Sequence, residues 1–301
     1  METVSINVSL DKIAALKDEY LMYSLPPKGD YVIFYAKKDN LTIRIFDRAK
    51  RDKDYLKVVF QGENAREVAQ NWGEINEKKE IIIPKDYVNT NKQYGSDEVG
   101  FGDFFGPLVV VAAYCDDKAL DIIHKFDIKD SKKLTDDYIW TIGPYLLENI
   151  TYSANVIDNK KYNELIESGY NMNKIKAMLH NNVLRLVQNK VGTPYPMFVD
   201  KFVNNKKYFE YLESSSIVMK DITFQERGEA YYPSIALASV IARYIFLKKM
   251  AALNKRFKEE IPFGAGKKVD EFALHFLKKH GKTALDEITK HNFGNYKKLF
   301  L

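Results

Sequence analysis

One cysteine, Cys115, is all this 301-residue chain has, so no internal disulfide can staple it. It sits inside an apolar run and reads as a small buried hydrophobe rather than a nucleophile. No apolar stretch approaches the roughly 20 residues needed to cross a bilayer, which excludes a membrane-spanning helix. The start, Met1 to Leu10, lacks a basic segment followed by an apolar one and does not read as a signal peptide. Internal repeats and low-complexity tracts are lacking too. Charge of one sign is scarce: 46 Lys and Arg against 41 Asp and Glu leave +5, compatible with a polyanionic partner without establishing one. What is present is a hydrophobic fraction of 46% with 29% charged residues, enough for a sizeable core in one large domain or two ordinary ones. Together these features point to a cytoplasmic globular protein.

Residues 1–75 read as a small α+β unit. Ser5–Leu10 alternates like a strand, and Asp11 can cap a helix through Ala14, Leu16 and Tyr20. Three alternating runs follow, Tyr31–Ala36, Leu41–Phe46 and Leu56–Phe60, with Asp39-Asn40 as a hairpin turn, and Asn64 to Trp72 forms a closing helix. Residues 76–93 are polar and charged around Ile81-Ile82-Ile83-Pro84 and read as a linker. From residue 94 to 301 the pattern is mixed α/β. Strands are expected at Ser96–Val99, Pro107–Cys115, Tyr152–Ile157 and Met197–Asp200. Helices are expected at Thr135–Leu147, Lys160–Glu167, Lys174–Gln188, Pro233–Phe257 and Val269–Lys279.

Chemistry concentrates in Tyr94-Gly95-Ser96-Asp97-Glu98-Val99-Gly100-Phe101-Gly102-Asp103. Adjacent carboxylates within a strand point to opposite faces. At a strand end beside glycines, however, both can reach one cation, and hard divalent ions take oxygen ligands. A solvated acidic turn is the plain alternative for Asp97 and Glu98. Asp200 follows three apolar residues and emerges where a buried strand ends; it reads as a further ligand or as a simple strand terminator. Glu229 lies just upstream of Pro233, where an acid also favours a helix N-terminus.

These segments resemble the type 2 ribonucleases H, and ribonuclease HIII in particular. Gly95-Ser96-Asp97-Glu98-Val99-Gly100, with Gly102-Asp103 and Phe105-Gly106-Pro107, is similar to the family's opening motif. Asp130-Ser131-Lys132-Lys133-Leu134 resembles its DSKKL loop, and Lys176-Ala177-Met178-Leu179-His180-Asn181 its KAMLHN helix. Tyr232 to Arg243, Gly264-Ala265-Gly266-Lys267 and His291-Asn292-Phe293 follow in the family's order, so the likeness runs from Gly95 to the C-terminus. The resemblance implies an α/β fold: a ribonuclease H-like mixed sheet with flanking helices and a C-terminal helical region. A small α+β domain resembling the TATA-binding protein would precede it. A preceding unit of suitable size, and Glu rather than Asp at position 229, favour the HIII type over HII.

The resemblance further implies an endonuclease that cuts the RNA strand of RNA–DNA hybrids, leaving 5′-phosphate and 3′-hydroxyl ends. Asp97, Glu98, Asp200 and Glu229 would hold two Mg²⁺ or Mn²⁺ ions, one activating a water and the other stabilising the leaving oxygen. On this view His180 and His291 have structural or hydrogen-bonding roles. Gly100-Phe101-Gly102 matches the corner whose main chain approaches the 2′-hydroxyl, the group that distinguishes RNA. The family pattern has a small polar residue at Phe101; phenylalanine keeps the backbone contact and forgoes a side-chain hydrogen bond. Lys132 and Lys133 would meet backbone phosphate, the alternative being an exposed basic loop. The enzyme is expected to be a monomer with no membrane partner.

In the first unit, Lys37, Lys38, Arg44, Arg48, Lys50, Arg51, Lys53 and Lys57 mingle with Tyr31, Tyr35 and Phe46, a fair nucleic-acid platform. Asp39, Asp47, Asp52 and Asp54 among them suit a solvated face equally. Three other activities share parts of the pattern. They are HII-like incision at single embedded ribonucleotides, a junction-resolving DNA nuclease, and a non-catalytic module with one structural ion. Deleting the residues before Gly95 is expected to raise the hybrid Kd and flatten its salt dependence in a filter-binding series; unchanged binding would leave the platform without support.

Overall fold

The computed structural model describes residues 2–27, 31–47, 54–75, 86–128 and 134–300. The chain divides into two compact units, Met1–Ile82 and Ile83–Leu301.

In the first unit, β1 (Glu2–Ser9), α1 (Leu10–Glu19), β2 (Val32–Lys38), β3 (Leu41–Phe46), β4 (Tyr55–Gly62) and α2 (Ala65–Gln70) build an antiparallel sheet in the order β1-β4-β3-β2. Period-two alternation decides its faces. Val4, Ile6, Val8, Phe34, Ala36, Ile43, Ile45, Val58 and Phe60 are buried with Ile13 and Leu16 of α1 and Ala65 and Ala69 of α2. The hairpin turns at Asp39-Asn40, Asp39 having φ 49°. Ser9, not Asp11, is the N-cap of α1, and Asp11 falls in its first turn, because the alternation of β1 runs straight into the helix. The other face carries Tyr35 opposite Arg44, Phe46 opposite Lys57, and Arg44 opposite Val59. The Arg44 guanidinium lies 5.3 Å from the centre of the Tyr35 ring. Lys37, Lys38, Arg44 and Lys57 are thus on the described sheet, whereas Arg48, Lys50, Arg51, Asp52 and Lys53 lie outside the described residues.

The second unit contains β5 (Gln93–Val99), β6 (Leu108–Cys115), α3 (Asp117–Lys125), α4 (Asp136–Asn149), β7 (Tyr152–Ile157), α5 (Asn159–Glu167), α6 (Met172–Val191), β8 (Met197–Asp200), α7 (Asn205–Tyr211), β9 (Ile222–Gln225), α8 (Pro233–Phe257), α9 (Lys267–Ile288) and α10 (Gly294–Lys298). The sheet order is β7-β6-β5-β8-β9, with β5, β6 and β7 antiparallel and β8 and β9 parallel to β5. It is a mixed sheet. The described part of the stretch after residue 85 belongs to this unit: Val88 N donates to Tyr231 O, and Gln93 opens β5. A truncation at Gly95 therefore removes the first two residues of the central strand, and the deletion is better ended before Gln93.

Both faces of β6 are covered, which is why its sequence is a near-continuous apolar run. Val109, Val111, Ala113 and Cys115 face the α8 side, and Leu108, Val110 and Ala112 face the α6 side. Full burial of each valine or leucine contributes about 1.5–3 kcal/mol. Cys115 is fully buried, and burial pushes its thiol up, away from reactivity. Four short elements, α3, α7, β9 and α10, carry no long periodic signal and go beyond the sequence expectation. The last long helix also continues past Lys279, across a break at Gly281, to Ile288.

A buried lysine ties the C-terminal segment to the start of β6. Lys290 has no exposed surface, and its Nζ donates to Asp103 O and Gly106 O at 2.7 Å each. Burial pushes its ammonium down to about 7 against the pull of Asp103. A neutral amine has two N–H groups, and two carbonyls accept them. The folded form binds fewer protons here than the unfolded chain between about pH 7 and 10.5, so this group adds stability as pH rises through that window. Lys290→Met is expected to cost roughly 2–4 kcal/mol, the deficit widening from pH 7 to pH 9.5 in urea titrations. A deficit that shrinks over that range would contradict the assignment.

Candidate active site

The site grows from the alternation of β5. Asp97 stands opposite Val111, on the face toward α8, and Glu98 stands opposite Val110, on the face toward α6. The two neighbours therefore leave the strand in opposite directions, and each is served by a different helix. Gly95, on the same side as Asp97, lets α8 come close: a Cβ there would lie 2.4 Å from Ile235 N and from Ser234 Oγ. That approach brings Ser239 to Asp97, whose Oδ1 also accepts from Glu98 N at 2.7 Å.

Glu98 is held from α6 by residues one turn apart. Lys176 Nζ donates to Oε1 at 2.6 Å, and His180 Nε2 lies 2.9 Å from Oε2. An ionised carboxylate only accepts, so Nε2 carries a proton, and Nδ1 lies 2.8 Å from Ser96 Oγ. Burial alone would raise the Glu98 carboxyl. The His180 hydrogen bond and charge, with Lys176, outweigh it and hold the group down at about 2. Asp97 is the reverse case: burial, then the negative charges of Glu98 and Asp200, push it well above the usual carboxylate range, with Ser239 opposing.

Asp200 ends β8, and its Oδ1 accepts from Gly228 N at 2.8 Å. Gly228 is followed directly by Glu229, which is 4% exposed in a single 3-10 turn, Gly228–Ala230. A Cβ on Gly228 would come 2.5 Å from Ile235 Cδ1, so glycine keeps this turn against α8. The turn that carries Glu229 is thereby bonded to Asp200 through Gly228 N.

Asp97 responds to the charges of both Glu98 and Asp200, and the turn before Glu229 is bonded to Asp200. Among the described residues no three His, Cys, Asp or Glu side chains stand together as a ready-made metal cage. The donor set nonetheless suits a hard divalent cation: all four are carboxylates at one end of the sheet, and the crowding that raises Asp97 is relieved by positive charge.

The corner after β5 has two different glycines. Gly100 has φ +97°, and a Cβ on it would lie 2.2 Å from Pro107 O, so the fold itself demands glycine. Around Gly102 a Cβ would meet nothing within 4 Å. Phe101 between them is 8% exposed and packs among Leu108, Val110 and Leu179, so any ligand here meets main chain at this position. Lys132 and Lys133 lie outside the described residues. Beyond them, Arg243 Nε and Nη2 donate to the two Asp136 carboxylate oxygens at 2.8 and 2.7 Å, fixing the start of α4. His291 has no part in this cluster; its ring stacks on Tyr296 at 4.1 Å. Reading the sequence misses Lys176 and Ser239. For Lys176 a signal exists, the i, i+4 spacing to His180 that puts both on one face of α6.

Comparison with known proteins covers nearly the whole chain. The family model for ribonuclease HII matches residues 94–296, and a domain of unknown function (DUF3378) matches residues 3–82. Ribonuclease HIII of Bacillus cereus (strain ATCC 10987 / NRS 248) is 35% identical over 312 aligned residues, 99% of this chain and 98% of the relative. The crystal structure of Bst-RNase HIII in complex with Mn²⁺ superposes with a TM-score of 0.68 at 30% identity, covering 99% of this chain and 98% of that one. The ribonuclease H2 of Pyrococcus horikoshii OT3, at 21% identity and TM-score 0.57, covers 69% of this chain and 96% of its own and shares the fold. Gly100→Ala is expected to destabilise the protein by roughly 2–4 kcal/mol. Gly102→Ala should change stability by no more than about 0.5 kcal/mol. Urea unfolding of both variants tests this, and equal losses would refute the distinction.

Proposed function

The chain belongs to the ribonuclease HIII family, and from that premise we propose that it hydrolyses the RNA strand of RNA–DNA hybrids at the end of β5, leaving 5′-phosphate and 3′-hydroxyl ends. It is a ribonuclease H, an endonuclease of a divalent-metal-dependent family. Asp97, Glu98, Asp200 and Glu229 are the acids that would hold two cations, Mg²⁺ or Mn²⁺. When bound, such cations lower the pKa of an attacking water and offset charge on the leaving 3′ oxygen. The carrying observation is the parallel pairing of β5 with β8, Ser96 beside Val199, which brings Asp97 and Glu98 to the same strand end as Asp200, next to the glycine corner.

The chain's own residues do the positioning. His180 and Lys176 keep Glu98 ionised and aimed, so it needs no deprotonation before ligation. Gly228 orients the Asp200 carboxylate. Gly100-Phe101-Gly102 offers main chain to the 2′-hydroxyl, and the space around Gly102 leaves room for a ribose to approach. Lys132 and Lys133 supply phosphate contacts that hold the strand in register. The first unit, through Tyr35, Arg44, Phe46 and Lys57 on one sheet face, adds sequence-independent affinity for the hybrid. We place the enzyme in the cytoplasm as a monomer, a setting that suits its single buried thiol.

Asp97→Asn is expected to lower cleavage of a uniform hybrid at least about 10³-fold while hybrid binding stays within about twofold. Wild-type protein should cut that hybrid far faster than a DNA duplex with one embedded ribonucleotide, and leave a four-way DNA junction intact. A wild-type rate for Asp97→Asn would defeat the metal-site assignment. Preferential cutting at the single ribonucleotide would turn the substrate assignment toward the HII type.

A further inference from the structure

Glu98 does not meet Lys176 alone. The Lys176 side chain, 14% exposed, runs between two aromatic rings, with Nζ 4.6 Å from the centre of Phe101 and 5.1 Å from the centre of Phe202. Phe202 in turn stacks on His180, ring centres 5.3 Å apart and planes within 21°. The two donors that hold Glu98 are thus clad by two phenylalanines. One follows Asp200 by two residues, and the other is the middle residue of the glycine corner. A lysine ammonium with so little water around it depends on ring faces and a carboxylate for its charge to be tolerated there. Phe101 is fixed in its turn: Gly100 admits no side chain, and the Phe101 ring is buried among Leu108, Val110 and Leu179.

We propose that Lys176 is a positioning residue that ties the Gly100-Phe101-Gly102 corner to Glu98 through the Phe101 ring, so that the main chain meeting the RNA and the acid meeting the cation are set by one contact chain. The inference rests on the metal and substrate reading given above. Its physical content is a competition. The ammonium lies 2.6 Å from Glu98 Oε1 and holds positive charge where a divalent ion would also draw on the carboxylate. Lys176 therefore lowers the cation affinity of Glu98 while fixing its direction, and Phe101 sets how firmly the ammonium stays. Removing the lysine strengthens cation binding and loosens the acid. Removing only the ring acts in the same direction, more weakly, and only while the lysine is present.

The test is Mn²⁺ titration calorimetry on the full chain without nucleic acid, paired with single-turnover cleavage of a uniform hybrid. The variants are Phe101→Leu, Lys176→Met, Lys176→Arg and the double variant Phe101→Leu/Lys176→Met. Lys176→Met should lower the Mn²⁺ Kd roughly fivefold, equivalent to about 1 kcal/mol, yet slow cleavage about tenfold. Phe101→Leu, which keeps apolar volume and loses the π face, should lower the Kd about twofold alone and leave it unchanged in the Lys176→Met background. Lys176→Arg should restore the wild-type Kd. An unchanged Kd for Lys176→Met, or an equal Phe101→Leu effect with and without Lys176, overturns the inference. If Lys176→Met does not fold, Phe101→Leu decides: a Kd equal to wild type overturns it. Loss of coupling while Asp97→Asn still weakens Mn²⁺ binding overturns the inference and leaves the metal reading standing. A wild-type chain that binds no Mn²⁺ overturns both.

Discussion

A β-strand turns consecutive side chains to opposite faces, and the working end of this protein is organised around that constraint. Asp97 and Glu98 are neighbours in sequence but belong to different cores, one under α8 and the other under α6. A cation site built from both needs each carboxylate secured separately. The two carboxylates are secured by unlike means: a buried, crowded Asp97 touched by Ser239, and an ion-paired Glu98 gripped by His180 and Lys176. The same strand thus presents one acid whose charge is disfavoured and one whose charge is strongly supported.

Close packing follows from this division. Helix α8 can reach Asp97 only because position 95 lacks a side chain, and the turn carrying Glu229 can lie against α8 only because position 228 also lacks one. Glycine here does the work of distance. At Gly100 it does the work of backbone angle, turning the chain where Phe101 is buried. The C-terminal segment completes the frame: Lys290 N bonds Phe104 O, Phe105 bridges Thr289, and Gly264 N donates to Asp103 Oδ1 at 2.6 Å. These bonds seat the loop between the corner and β6.

Much of this was legible in the sequence. Four elements, Leu41–Phe46, Tyr152–Ile157, Met197–Asp200 and Pro233–Phe257, have the bounds their patterns predict. Apolar runs bounded by charged, turn or proline residues specify both ends. The mixed α/β class followed from strands giving way to long helices. Short pieces were hidden: β9 and α7 are four and seven residues long and hold too little periodicity to stand out. Motif order points to the candidate acids but not to their arrangement, because which helix each one meets depends on register across β5 and β6. Lys176 illustrates the difference: its segment is similar to the family's helix motif, while its partners, Glu98 and Phe101 on one side and Phe202 on the other, come from distant places in the chain.

The parallel pairing of β5 with β8 has a consequence for how the molecule comes into being. Tyr94 pairs with Met197, and Gly95 with Phe198, so the central strand waits for a partner about a hundred residues downstream. Antiparallel β5, β6 and β7 can zip together early, since their connections are local or intermediate. The strand that carries Asp200 must close a loop of about a hundred residues and loses more chain entropy than these pairings do. During synthesis a nascent chain therefore holds Asp97 and Glu98 for a long interval before β8 and Asp200 can pair beside them.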